Sequence, residues 1–287
     1  FTLPKPVADI ALRNKKTLYG LLMRLSAEVT QTIAKDPRHL GAELGITSVL
    51  HTWSQRLEHH PHVHMVIPGG GLDPDGRWKP CRPNFFLPTP VLAALFRRRF
   101  LEELDRLRDR GDLRLDGPLA HLQDDAGWTT LTAELRRIGW NVYAKRPFAG
   151  PEAVLKYLSG YTHRGPIANH RLVAFDGKTV TFRARGRSGG PDELVRLPLD
   201  TFIQRFVFHI GPAGFIRLRS YGFLAHRVRK DRVDQIRDQL GAPPATEPPP
   251  PREEQPCPRC AKGRLRPIAD VSSDVDGVVL ISETAKA

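Results

Sequence analysis

Two apolar, β-branched runs joined by a short polar stretch constrain this chain more than any other feature. Ile46–Trp53 reads ITSVLHTW, and the segment from His59 to Gly71 reads HHPHVHMVIPGGG. Residues of these types favour extended structure, and the polar, turn-like stretch 54–60 joins the two strands as an antiparallel hairpin. In the second strand His62 and His64 flank Val63. Alternate side chains of a strand share a face, so the two imidazoles point the same way, roughly 7 Å apart along it. Backed by Val63, Val66 and Ile67, such a pair can hold a divalent ion at a sheet surface.

The rest of the pattern mixes hairpins with helices. Leu18, Leu22, Leu25, Val29 and Ile33 recur at helical spacing, which predicts one helix over 7–35 that Pro37 stops. Gly69–Gly71 and Asp73-Pro74-Asp75-Gly76 turn the chain into a short strand over 77–81. Thr89, as N-cap, and Pro90 open a helix that runs to about Arg110 and closes at Gly111. Further helices are predicted over 128–138, 151–161, 199–209 and 228–240. A strand is expected over 140–145, and a hairpin over 170–185 around Asp176-Gly177. Helices do not alternate regularly with strands, so the class is α+β rather than a doubly wound sheet. A body over 1–240 divides into a helical part (1–45), a core (46–165) and a second α+β part (166–240). After it, 241–256 is too rich in proline to pack and reads as a disordered linker. The tail 257–287 opens on Cys257-Pro-Arg-Cys260, half of a zinc ribbon, which needs four ligands.

Composition narrows the function. Lys plus Arg is 44 against 31 acids, a formal charge of +13, which favours a polyanionic partner such as nucleic acid. No run approaches the ~20 apolar residues of a membrane span, and no secretory leader is visible. Three cysteines argue against a disulfide framework and fit a reducing cytoplasm.

A second informative pair lies in EAVLKYLSGYTHR, where Tyr157 and Tyr161 stand four apart and so emerge from one helical face. Lys145, Arg146, His163 and Arg164 are near them in sequence. A phenol is a poor nucleophile at neutral pH unless a nearby ion and basic groups polarise the phosphate it attacks. The stretches HTWSQRLEHHPHVHMVIPGGGL, VYAKRPFAGPEAVLKYLSGYTHR with IANHRL, and YGFLAHR together resemble the two-tyrosine HUH endonucleases. More closely, they resemble the rolling-circle transposases of the insertion-sequence-ninety-one type, over most of residues 1–240. The resemblance implies an HUH-type antiparallel sheet with flanking helices, a ferredoxin- or RRM-like palm. It also implies Mg²⁺ or Mn²⁺ held by His62 and His64, and Tyr157 and Tyr161 as nucleophiles that form a 5′-phosphotyrosine with single-stranded DNA. Lys145, Arg146 and Arg164 would grip the strand, and the setting would be a bacterial cytoplasm, at the nucleoid.

The third ligand in such enzymes comes from just before the histidine strand. Gln55 and His51 both qualify, since on an extended strand they share a face. An oxygen donor suits Mg²⁺ better than a third imidazole, which favours Gln55 over His51. His59 and His60 are expected in the turn, and Trp53, Trp140 and Phe148 are candidates for stacking on bases. The family often carries a Cys-rich segment ahead of the point where this sequence begins, so a truncated, inactive copy that only binds single-stranded DNA is the alternative. A zinc hydrolase is the other rival, but Met65-Val66-Ile67-Pro68 supplies no further ligand downstream.

Overall fold

The computed structural model describes residues 1–83, 85–145, 154, 165–186 and 190–241, and in the C-terminal stretch 255–256, 260, 264–265, 269–273 and 279–283. Two units separate, Phe1–Gly241 and Ala242–Ala287.

The first unit is built on a three-stranded antiparallel sheet in the order β2–β1–β8, with β1 Gly45–Trp53, β2 His59–Val66 and β8 Leu218–Gly222. The hairpin read from the sequence is therefore present, with Val49 opposite His64 and His51 opposite His62. Between His51 and Trp53 the register shifts, because Trp53 pairs with His59. The shift gives β2 one residue more than β1 at Pro61, and a bulge tolerates a residue that has no N–H to give. His59 and His60, expected in the turn, instead open β2. The other edge of β2 is covered by the first residues of the chain: Leu3 N–H donates to Pro61 O at 3.1 Å and Val63 N–H to Phe1 O at 2.9 Å.

One face of this sheet packs on helices. Ile46, Leu50 and Val63 are buried with Leu18, Leu22 and Leu25. The expected single helix over 7–35 is two, α1 Lys5–Arg13 and α2 Lys15–Lys35. Asn14 breaks it. Its amide donates to Ile10 O and Arg114 O, both at 3.0 Å, and its Oδ1 accepts from Arg114 N–H at 2.8 Å. Asparagine often competes with the helix in this way. Helices α3 (Thr89–Asp109) and α4 (Asp125–Arg137) complete the helical layer; Pro88, not Thr89, sits at the start of α3. The strand expected over 140–145 is irregular chain. Trp140 is buried against Phe96 and Phe100 and its indole N–H donates to Leu135 O at 3.1 Å, so an aromatic anchor rather than a ladder fixes this segment.

A second three-stranded antiparallel sheet comprises β5 Leu172–Phe175, β6 Thr179–Ala184 and β7 Glu193–Pro198, followed by α5 Leu199–Phe208. The Asp176-Gly177 turn is as expected: Gly177 takes φ +87° and the Asp176 carboxylate accepts the Lys178 and Thr179 amides. The tip of the β1–β2 hairpin plugs into this sheet, with Leu57 packed against Phe182 and Leu197. A short hairpin, β3 Gly70–Leu72 and β4 Trp78–Pro80, is gripped by α6 (Arg229–Leu240), whose Gln235 and Gln239 amides both donate to Gly76 O at 2.9 Å. In the second unit β9 (Gln255–Pro256) pairs with β10 (Arg264–Leu265), and β11 (Ala269–Ser273) with β12 (Val279–Glu283), both antiparallel. The architecture is mixed α+β, with small antiparallel sheets and helices. Among the described residues no helix is long and apolar enough to cross a membrane.

Candidate metal centre

The face of the central sheet turned away from α1 and α2 collects three imidazoles. His51 and His62 are cross-strand partners, and His64 follows His62 by two, so strand alternation puts all three on one face. Among the described residues this is the one group of His, Cys, Asp or Glu side chains able to share an ion, with candidate ligand atoms all within 4.8 Å of one another. The ring centroids of His51 lie 5.6 Å from His62 and 4.8 Å from His64, and those of His62 and His64 are 4.8 Å apart.

The local chemistry of these rings is compatible with a bound cation. The Nδ1 of His62 lies 2.7 Å from the backbone carbonyl of His60. A carbonyl only accepts, so Nδ1 carries the proton and Nε2 presents its lone pair, as in many metal-bound histidines. Burial pushes the His62 imidazole down to about 4 and His64 to about 3, with the neighbouring histidines lowering His64 further. Both rings are therefore neutral at pH 7, and no proton would compete with a cation for their nitrogens. The Lys145 ammonium, exposed to solvent, also bears on His64 and adds positive potential beside the trio.

Gln55 is placed differently. β1 ends at Trp53, and Gln55 follows in the exposed turn, where its backbone carbonyl accepts from Arg171. The premise that Gln55 and His51 share one extended strand does not hold, and it is His51 that the fold brings to His62 and His64. His51 is also 4% exposed, so it is the most shielded of the three. Three imidazoles form a donor set that suits first-row ions such as Zn²⁺ and Fe²⁺ best, and Mn²⁺ better than the strongly oxygen-preferring Mg²⁺.

The other candidates divide. Trp140 belongs to the core, and Trp53 lies against His51. Tyr157, Tyr161, Arg146, Arg164, His163, Phe148 and Cys257 lie outside the described residues. His59 faces the helical side, where its Nε2 meets the Tyr19 hydroxyl at 2.7 Å; burial pushes that phenol far up and the His59 imidazole down to about 3. His209, which the sequence did not single out, is buried behind Trp53. No local motif marks it, because its partners Thr52 and Leu57 are more than 150 residues away.

Comparison with known proteins converges on one family. The family Y2_Tnp, described as "Putative transposase", matches residues 45–232, a stretch that begins at β1 and contains the three histidines and both tyrosines. "Putative transposase y4qJ" of Sinorhizobium fredii (strain NBRC 101917 / NGR234) is 47% identical over 281 residues, covering 92% of this chain and 71% of that protein. "Transposase for insertion sequence element IS801" of Pseudomonas savastanoi pv. phaseolicola is 29% identical over 244 residues, covering 84% of this chain and 57% of that protein. No solved structure matches significantly.

Proposed function

The chain belongs to the Y2_Tnp transposase family, and from that premise we propose that it nicks and joins single-stranded DNA through a 5′-phosphotyrosine intermediate, in rolling-circle transposition. The observation that carries this reading is the cluster of His51, His62 and His64 on one face of an antiparallel sheet, inside the family-matched stretch. His62, His64 and His51 would hold the divalent ion, Mn²⁺ in preference to Mg²⁺ given three nitrogen donors. Bound there, such an ion supplies Lewis-acid polarisation of a phosphodiester.

The chain's own groups do the rest. The oxygen of Tyr157 or Tyr161 attacks phosphorus and the bond to the 3′ oxygen breaks. The phenolic proton leaves, and the departing oxygen becomes a 3′-hydroxyl. The phosphodiester energy is kept in the tyrosyl ester, so rejoining needs no ATP. A second tyrosine permits a second cut before the first ester is resolved. Lys145, with Arg146 and Arg164, would neutralise backbone phosphates on either side of the reacting one. An HUH-type palm is the fold this reading assigns to the sheet and its helices.

Incubation with single-stranded oligonucleotides and Mn²⁺ or Mg²⁺, read on a denaturing gel, tests the proposal. A covalent protein–DNA band is expected that needs the metal and disappears in the Tyr157→Phe/Tyr161→Phe double variant. Binding without any such band, on oligonucleotides that carry the element ends, would leave a single-strand-binding protein in place of an enzyme. A band that survives loss of both tyrosines would refute the assignment of the nucleophiles.

A further inference from the structure

Among the described residues, the His51 ring meets aromatic neighbours in two geometries. His62 and His64 meet it edge-on, at interplanar angles of 84° and 67°. The Trp53 indole instead lies almost parallel to it, with centroids 4.5 Å apart and planes at 19°. Such a stack fixes the plane of an imidazole without occupying either ring nitrogen, since the contact is made through the π faces.

Trp53 is itself backed. The His209 ring stands 6.1 Å from the indole at 71°. His209 caps α5, is 8% exposed, and has both nitrogens engaged. Its Nε2–H donates to the Leu57 carbonyl at 3.2 Å, because a carbonyl can only accept. Nδ1 is then left to accept from the Thr52 hydroxyl, also at 3.2 Å. A continuous series of contacts therefore runs from the β1–β2 turn through His209 and Trp53 to His51. The alternation of β1 supplies both ends of it: Trp53 follows His51 on the sheet face, while Thr52 between them turns to His209.

We propose that Trp53 is a positioning residue for the metal ligand His51, with His209 as its backstop. The proposal rests on the reading that the three histidines hold a divalent ion. His62 has its ring oriented by the hydrogen bond to His60 O, the usual device in metal sites. The stacked indole restrains the plane of the His51 ring in a comparable way. Its loss would loosen the orientation of the third ligand and weaken its hold on the ion.

Mn²⁺ binding, counted from the free-ion EPR signal, separates the possibilities when compared across the wild-type chain, Trp53→Leu, Trp53→Phe, His209→Leu and His51→Ala, with circular dichroism as the check on folding. Trp53→Leu should weaken Mn²⁺ binding roughly 10- to 100-fold, the range found when supporting groups around metal ligands are removed. Trp53→Phe, which restores an aromatic face, should recover most of that loss, and His209→Leu should fall between. Bound Mn²⁺ should also quench a component of the tryptophan emission that Trp53→Phe lacks, a readout that holds even if Trp53→Leu does not fold. Wild-type affinity in Trp53→Leu, with binding lost in His51→Ala, overturns the role of Trp53 and leaves the metal site standing. No binding by the wild-type chain overturns both.

Discussion

Leu57 carries a backbone conformation that few leucines adopt, and substitutions there measure two opposed terms. Its φ is +59°, in the left-handed region, while its side chain is fully buried against Phe182 and Leu197. The turn around it is tightly bound. Leu57 N–H donates to Ser54 O at 3.1 Å, Leu57 O accepts from His209, and Arg205 reaches Arg56 O at 3.1 Å. Arg56 also pairs with Glu193 at the start of β7. Leu57→Ala removes the buried branch and keeps the unfavourable φ, so it should cost about 2–5 kcal/mol, the usual range for a buried leucine. Leu57→Gly removes the same branch and the buried Cβ with it, about 0.8 kcal/mol more, but releases about 1–2 kcal/mol of left-handed strain. The greater freedom of glycine in the unfolded chain returns about 0.5–1 kcal/mol of that. The two variants should therefore lie within about 1 kcal/mol of each other, with both well below wild type. Urea unfolding followed by circular dichroism, with the slopes compared to confirm a common denatured state, gives both differences. Glycine and alanine variants more than ~1.5 kcal/mol apart, or an alanine variant within ~0.5 kcal/mol of wild type, would refute the reasoning.

Acid should destabilise the metal-free protein in a defined window. His59, His62 and His64 are held by burial at about 3, 4 and 3, below the ordinary 6.5, so the unfolded chain takes up protons first as pH falls. The contribution is fully present above pH 6.5 and is lost towards pH 4, by up to ~1.4 kcal/mol per pH unit for each group; urea midpoints that stay flat or rise between pH 7 and about 5 would contradict it. Gly222→Ala should disrupt the β1–β8 pairing, because Gly222 has φ +61° and a Cβ there would come within 1.7 Å of Leu44 O. A loss above ~3 kcal/mol or an insoluble product is expected, and a melting temperature within ~2 °C of wild type would argue against it.

Local patterns revealed much of this, and their limits are physical. The β1–β2 hairpin and the shared face of His62 and His64 follow from strand alternation, and the Asp176-Gly177 turn from residues that favour its geometry. The third histidine was visible only as the alternative to Gln55, which donor chemistry favoured. Choosing it needs the end of β1 and the register shift at Pro61, both set by pairing rather than by composition. β8 escaped for a similar reason. LRSYG is short and weakly alternating, and only its ladder to β1, more than 160 residues earlier, makes it a strand. Asn14 and Trp140 show tertiary contacts overriding a helical and an extended preference respectively. His209 had no signal at all in the sequence, since its role comes from Trp53, Thr52 and Leu57 across the fold.

The most direct test of the central claim is an Mn²⁺ titration of the wild-type chain beside His51→Ala and Gln55→Ala. Saturable binding by wild type is expected, with a loss of ~100-fold or more in affinity for His51→Ala and an unchanged curve for Gln55→Ala. Binding that survives the loss of His51 but not that of Gln55 would contradict the three-histidine site.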